Sequence, residues 1–376
     1  MRVAILETVK TQGGFEQEFD RLIIDELKKE GHEPVLYLPE NSSLPVDFGI
    51  PIEYMSGGEI VDYEGAGKLK KIWLSIQREQ RRVRWFDAAY EKACRHEVDA
   101  IILTTATYRY LRSLHKSKLK ESPVPVIFIF LGVNPHEKPK FLKQARRCEG
   151  YQNIKLKITS LRNDFTEDHV SKIEIIPPPV LLPQGVSVTA NLTYHEAVRI
   201  GFFGHYRKGE KDIDGIIQAF LDSHLEGKAE LIVQAAPTGP EDADDMERIM
   251  EKYSRESAVR FIKGKVLGMA WYDLLQSVDV LFLPYSNERY LYNWSAVYFN
   301  ALALYKPVLA TAVLNPEMLK NYTVGQEVDL QDLGRLRQQL GQFLQSYEEM
   351  LPMYEAELKR VNHDFSTAAF LENVLK

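Results

Sequence analysis

The stretch "GHYRKGEKDIDGIIQAF", residues 204–220, joins a glycine, a run of basic side chains and an apolar-periodic segment. Ile213, Ile216, Ile217 and Phe220 fall at i, i+3, i+4 and i+7, the spacing of one buried helix face. The residues before it, "VRIGFFG" (198–204), form a short apolar run of strand length closed by glycine. A strand ending at Gly204 and a helix over 212–224 leave "HYRKGEK" as an exposed loop on the carboxyl edge of a sheet. Arg207, Lys208, Lys211 and, when protonated, His205 bring positive charge to that loop. Backbone N–H groups and the positive helix end add to it, which makes an anion site suited to a diphosphate. The plain alternative is a solvated basic loop.

The same alternation continues on both sides. Downstream, strand patterns at 229–235, 259–264, 278–284 and 307–311 are separated by helical patterns at 243–255, 268–277 and about 294–305. Upstream, "RVAIL" (2–6), "PVLYL" (34–38), "DAIILTT" (99–105), "VPVIFIF" (124–130), "IKLKITS" (154–160) and "KIEIIPPP" (172–179) read as strands. Helical patterns cover 15–31 and about 66–95. Fully apolar strands alternating with helices predict parallel sheets covered on both faces. Three prolines at 177–179 and the helix-poor stretch after them read as a linker. The fold class is therefore α/β, with two Rossmann-like halves and a ligand site in the cleft between them.

Bulk composition bounds the function. At 376 residues, 45% hydrophobic and 27% charged, the chain reads as a globular protein of two domains. A net charge of −6 argues against nucleic acid as the main partner. Two cysteines, Cys94 and Cys148, are too few for a disulfide framework and fit a reducing cytoplasm. The apolar run "VAIL" is too short for a signal peptide, so the expected location is cytoplasmic. Charge is uneven, however: 68–147 holds 19 Lys+Arg against 7 Asp+Glu. Within it, "KLKKIWLSIQREQRRVRW" (68–85) combines seven cations with Ile72, Trp73, Leu74, Ile76 and Trp85.

In the first half, "ETVKTQGGFEQEF" places Gly13 and Gly14 between the first strand and its helix, where a ligand can approach the backbone closely. The dinucleotide fingerprint G-x-G-x-x-G is absent from this turn. The pairs Asp212-x-Asp214 and Asp242-x-Asp244 mimic a metal-binding D-x-D. Their places at a helix start and in an acidic run read instead as helix N-terminal acids. Neither metal nor cofactor is expected.

Four stretches, "GGFEQEFDRLIIDELKKEGHEPVLYL", "IIPPPV", "RIGFFGHYRKGEKDIDGIIQAF" and "SVDVLFLPYSNE…FNALALYKPVLAT", resemble glycosyltransferase family 4, retaining enzymes of the GT-B fold. The resemblance implies two Rossmann-like domains facing across a cleft. It places an acceptor-side domain at 1–180 and a nucleotide-sugar donor domain at 181–363. A closing helix at 364–376, in "HDFSTAAFLENVLK", is implied to pack back on the first domain.

Site residues follow from the resemblance, position by position. His205 and Lys211 stand where the family holds the donor diphosphate with Arg and Lys; Arg207 or Lys208 compensates for the missing Arg. Of the family's two glutamates eight positions apart, the later one, a ribose ligand, corresponds to Asn300. The earlier one corresponds to Glu288 if the loop carries four extra residues, and to Tyr292 if it does not. "NWSA" (Asn293, Trp294, Ser295, Ala296) replaces the loop whose amides face sugar and phosphate, and Tyr292 and Trp294 would line the sugar pocket. Lys265 and Val266 stand in the segment that frames the base, and His136 occupies the acceptor-side position. The implied activity is that of a bacterial polysaccharide-type hexosyltransferase. It would take a UDP-sugar, glucose first, to a glycan or lipid-linked acceptor, and the basic stretch 68–85 would touch anionic membrane weakly. A catalytically weak nucleotide-sugar-binding subunit is the alternative, since neither glutamate is in its usual place.

Overall fold

In β1 (Arg2–Leu6) every residue after Arg2 is buried, and the apolar runs at 34–38, 100–103 and 126–130 behave alike. The computed structural model describes residues 1–8, 15–42, 47–57, 67–165, 169–182, 186–223, 225 and 227–376. They divide into two compact units, Met1–Pro178 with Thr367–Lys376, and Pro179–Ser366.

In the first unit the chain runs β1, α1 (Phe15–Lys29), β2 (Glu33–Pro39), β3 (Ile52–Met55), α2 (Lys68–Cys94), β4 (Ala100–Leu103) and α3 (Tyr108–Leu114). It continues through β5 (Val126–Phe130), α4 (Lys138–Arg147), β6 (Ile154–Thr159) and β7 (Ile173–Ile176). The seven strands form one sheet in the order β3-β2-β1-β4-β5-β6-β7, parallel throughout. β4 and β5 are buried along their whole length, as helices on both faces require.

The second unit runs β8 (Val198–Tyr206), α5 (Ile213–Asp222), β9 (Ala229–Pro237), α6 (Pro240–Lys252), β10 (Val259–Ile262), α7 (Met269–Gln276) and β11 (Val280–Leu283). Then come α8 (Ala296–Ala303), β12 (Val308–Thr311), α9 (Pro316–Asn321), β13 (Gly325–Val328), and α10 (Leu333–Asp364). Its six parallel strands are ordered β10-β9-β8-β11-β12-β13. β8 extends two residues past Gly204, because His205 and Tyr206 still pair with Ala236 and Pro237 of β9. At the other end, the buried carboxylate of Asp279 accepts the Arg199 amide at 2.8 Å and pairs with Arg199 and His195 at 3.1 and 2.9 Å. That junction fixes β8 beside β11. The long α10 buries Leu336, Leu340, Phe343, Tyr347, Leu351, Tyr354, Leu358 and Val361 along one stripe, and Asp332 caps it by accepting from the Arg335 amide.

The last helix, α11 (Thr367–Leu375), belongs to the first unit. Its Phe370 ring meets Phe19 of α1 edge-on at 5.8 Å, and Lys155 of β6 donates to its terminal carbonyls. Strand order reverses once in each sheet, beside β1 and beside β8, so the switch points lie at the carboxyl ends of β1/β4 and of β8/β11. Among the described residues no helix is long and apolar enough to cross a membrane.

Candidate functional site

At the β8/β11 switch point the side chain of Lys211 folds inward. It is only 7% exposed, against the expectation of an exposed loop residue. Its Nζ donates to the His205 carbonyl at 2.9 Å and lies 5.3 Å from the Phe202 ring centre and 4.7 Å from that of Tyr285. A lysine stem is apolar enough to be covered in this way while the aromatic faces attract its charge. Gly204, at φ +122°, makes room: a Cβ there would stand 4.0 Å from the ammonium, in a backbone conformation that L side chains resist. Ser286, after β11, donates to the Glu210 carbonyl at 2.7 Å and ties the two loops together.

The other cations are arranged differently. Arg207 and Lys208 are exposed and face Glu210 at 3.5 Å and Glu241 at 3.8 Å. Burial, with Lys265, Lys211 and Arg207 nearby, holds His205 below the ordinary histidine range. At neutral pH it therefore presents a neutral imidazole and does not supply the charge of the arginine it replaces. Nor does the start of α5 stand open to an anion. Asp212 caps it, accepting the Gly215 amide at 2.9 Å, and a Cβ on Gly215 would lie 2.3 Å from that carboxylate. The start of α8 has a neutral cap instead: Ser295 accepts from the Tyr298 amide at 3.4 Å, and the first turn holds no acidic residue. The positive end of α8 is thus the less compensated of the two.

Around this centre the candidates scatter. Glu288 is exposed and opens a 3₁₀ turn, Glu288–Leu291, between β11 and α8. Tyr292, Asn293 and Ala296 are half-buried. Trp294 is buried, its ring 5.9 Å from Phe299, so it packs into the unit where an open sugar-lining position was expected. Asn300 is also buried. Its Nδ2 donates to the Leu181 carbonyl at 2.8 Å, and its Oδ1 accepts from Trp271 Nε1 at 3.4 Å. Lys265 (exposed) and Val266 (half-buried) follow β10 in the loop that carries the Gly264 carbonyl. In the first unit His136 is exposed after β5, its amide donating to Asn134 Oδ1 at 3.0 Å. Gly13 and Gly14 lie outside the described residues.

Beside Asp212, which caps α5, two more of the D-x-D acids have protein partners. Asp214 accepts from Lys252 and Tyr253 at 2.6 and 2.7 Å, and Asp242 from the Lys208 amide and the Thr238 hydroxyl at 2.9 and 2.7 Å. Among the described residues no group of three or more His, Cys, Asp or Glu is placed to hold a metal.

No family model matches the chain, and no curated protein is significantly similar to it in sequence. Solved structures are similar over its whole length. Anabaena HepE in complex with UDP-glucose superposes with a TM-score of 0.65 at 13% identity, covering 100% of this chain and 98% of that one. An α,α-trehalose-phosphate synthase (UDP-forming) from Burkholderia xenovorans gives 0.64 at 10% identity, covering 100% and 99%. The catalytic domain of starch synthase IV from Arabidopsis thaliana, bound to ADP and acarbose, gives 0.65 at 12%, covering 99% and 97%. These likenesses fix the fold as GT-B, as the sequence resemblance implies.

One polar cluster went unnoticed in the sequence. At the β1/β4 switch point the buried Glu7 Oε2 accepts from the hydroxyls of Thr104 and Thr105 at 2.8 and 2.6 Å, and Asp20 Oδ1 lies 2.6 Å from the same Thr104 oxygen. A hydroxyl has one proton, so both Thr104 bonds form together only if one of the two carboxyls carries a proton of its own. Burial first, then the carboxylates of Glu7 and Glu16, push Asp20 well above the ordinary aspartate range, so the proton falls to Asp20. The signal was available: Asp20 shares the i, i+3, i+4, i+7 face of α1 with Ile23, Ile24 and Leu27. Because the folded protein holds this proton more tightly than the unfolded chain, its stabilising effect is complete below the ordinary aspartate pKa and fades as pH rises toward the elevated one. Thermal unfolding of Asp20→Asn and the native protein between about pH 5 and about pH 8 should show the variant gaining relative stability as pH rises. Parallel curves would mean that Asp20 is ionised throughout.

Proposed function

We propose that the protein is a retaining glycosyltransferase. It moves a hexose, glucose first, from a nucleotide diphosphate sugar, UDP-glucose first, to a glycan or lipid-linked glycan. The observation that carries the reading is Lys211, held under two aromatic rings at the switch point of a GT-B donor-type sheet, beside the neutrally capped start of α8. HepE, solved with UDP-glucose, supports the choice of donor.

In this reading the diphosphate lies across the carboxyl ends of β8 and β11. Lys211, the neutral N–H of His205 and the amides of Ala296 and the residues after it meet the charge that grows as the sugar C1–O bond breaks. The acceptor oxygen bonds to C1 on the same face as the bond to the diphosphate breaks, and its proton passes to the departing diphosphate oxygen; His136 stands on the acceptor side. Glu288 faces the hexose. Asn300 takes part through Oδ1, whose second lone pair can accept a ribose hydroxyl, because its amide nitrogen is engaged by Leu181. Lys265 and Val266 frame the base. The engaged carboxamide of Asn300 is also what favours the second reading, a nucleotide-sugar-binding subunit, and donor hydrolysis by the purified protein separates the two.

The stripe of α2 at Leu69, Ile72, Trp73 and Ile76 runs i, i+3, i+4, i+7; Leu69 is 84% exposed and the others are each more than half exposed. Lys68, Lys70 and Lys71 flank it. Leu74 and Trp85, by contrast, are buried, and Arg82 is turned inward onto the Arg109 carbonyl and the Tyr110 ring. An exposed apolar stripe edged by lysines suits a weak peripheral contact with anionic membrane, at about 1 kcal/mol per cation near the surface.

Lys211→Met keeps the covered stem and removes the charge. It should slow transfer by about 2 to 4 kcal/mol, the scale of one lost oxyanion donor, and destabilise the fold by about 1 to 3 kcal/mol through the deserted His205 carbonyl. Lys211→Ala should destabilise further, because it also removes the covered stem and leaves a cavity beneath the Phe202 and Tyr285 rings. Full turnover in folded Lys211→Met rejects the diphosphate site. Activity should survive excess EDTA; loss restored by magnesium would return the D-x-D acids to a metal role. Flotation with anionic vesicles should capture the protein in a salt-sensitive manner, and equal recovery with neutral vesicles would remove the membrane contact.

A further inference from the structure

We propose that Gln234 is a positioning residue that sets how tightly the nucleoside is held, by locking the base-side loop after β10 to the end of β8, just before the phosphate-side loop. This rests on the reading of the second unit as a nucleotide-sugar site.

β9 lies between β8 and β10, and Gln234 is paired with Phe203 on one side and Ile262 on the other. In the run "ELIVQAAP" it is a lone amide among apolar neighbours, and it is only 1% exposed. Its Oε1 accepts from the Gly204 amide at 3.2 Å, and its Nε2 donates to the Gly264 carbonyl at 2.5 Å. Gly204 lies near the carboxyl end of β8, next to His205 and ahead of the loop that carries Lys211; Gly264 directly precedes Lys265 and Val266. One side chain therefore ties the end of β8, just before the phosphate-side loop, to the base-side loop after β10. A carboxamide suits this at every pH, since one target is a donor and the other an acceptor. That Lys265 is among the cations acting on His205 shows the two loops to be electrostatic neighbours as well.

Two variants take the clamp apart. Gln234→Glu retains an acceptor for the Gly204 amide but sets a carboxylate against the Gly264 carbonyl, so only the base-side loop is released. Gln234→Met keeps the bulk and loses both bonds. Isothermal titration of the full chain with UDP and with pyrophosphate is the test. Gln234→Glu should bind UDP about tenfold to about a hundredfold more weakly while pyrophosphate affinity stays at the native level. The donor KM should rise by more than kcat falls. Lowering the pH should close the gap to the native protein, because the protonated carboxyl regains a donor for Gly264. Gln234→Met should weaken both ligands, and if it does not fold, the Gln234→Glu pattern still decides. Equal UDP affinity in the native protein and Gln234→Glu, or parallel loss of UDP and pyrophosphate, overturns the proposal while leaving the site in place. Failure of the native protein to bind UDP overturns the site and this inference with it.

Discussion

Every strand in both sheets runs parallel to its neighbours, and most of the chain's organisation follows from that constraint. Parallel pairs cannot be closed by tight hairpins, so each connection travels back across a face of the sheet, usually as a helix. The faces are then covered, the strands must be apolar, and polar chemistry is left to the ends. At the carboxyl ends of β8 and β11 this gathers Lys211, His205, Ser286 and the start of α8. At those of β1 and β4 it gathers Glu7, Asp20, Thr104 and Thr105.

Charge at the second switch point is arranged by burial more than by number. The exposed Arg207 and Lys208 face acids and water, where a single pair is worth little. Lys211 sits in a drier setting, where a charge acts on a neighbouring anion with less screening. The two helix ends differ for a similarly local reason. Asp212 brings its own negative charge to α5, whereas Ser295 caps α8 without one.

Legibility tracked the range of the interaction involved. The apolar runs announced β1, β4, β5, β8, β11 and β12, and Ile213, Ile216, Ile217 and Phe220 announced α5, because these signals lie within a few residues. β3 and β13 carried no such run: both are short, partly exposed edge strands. The stripe of α10 from Leu336 to Val361 has clear helical spacing, but it stands outside the strand–helix alternation that organised the reading. Trp294 stands in the stretch that the resemblance implies would line a sugar pocket, and its burial against Phe299 depends on how α8 packs.

By itself, then, the sequence determined the class of the molecule: two parallel α/β units, a basic loop after β8, and a chain with no dinucleotide fingerprint. Those properties are written in periodicity and composition. Only the tertiary structure decided that Lys211 turns inward beneath Tyr285 and that Gln234 joins Gly204 to Gly264. It likewise brought Asp20 to within one hydroxyl of Glu7. The partners in the longer-range pairs stand 30 residues or more apart in sequence, 30 for Gln234 and each of its glycines and 84 for Asp20 and Thr104. Side chains that far apart are brought together by packing of whole strands and helices, which no local pattern of residues records.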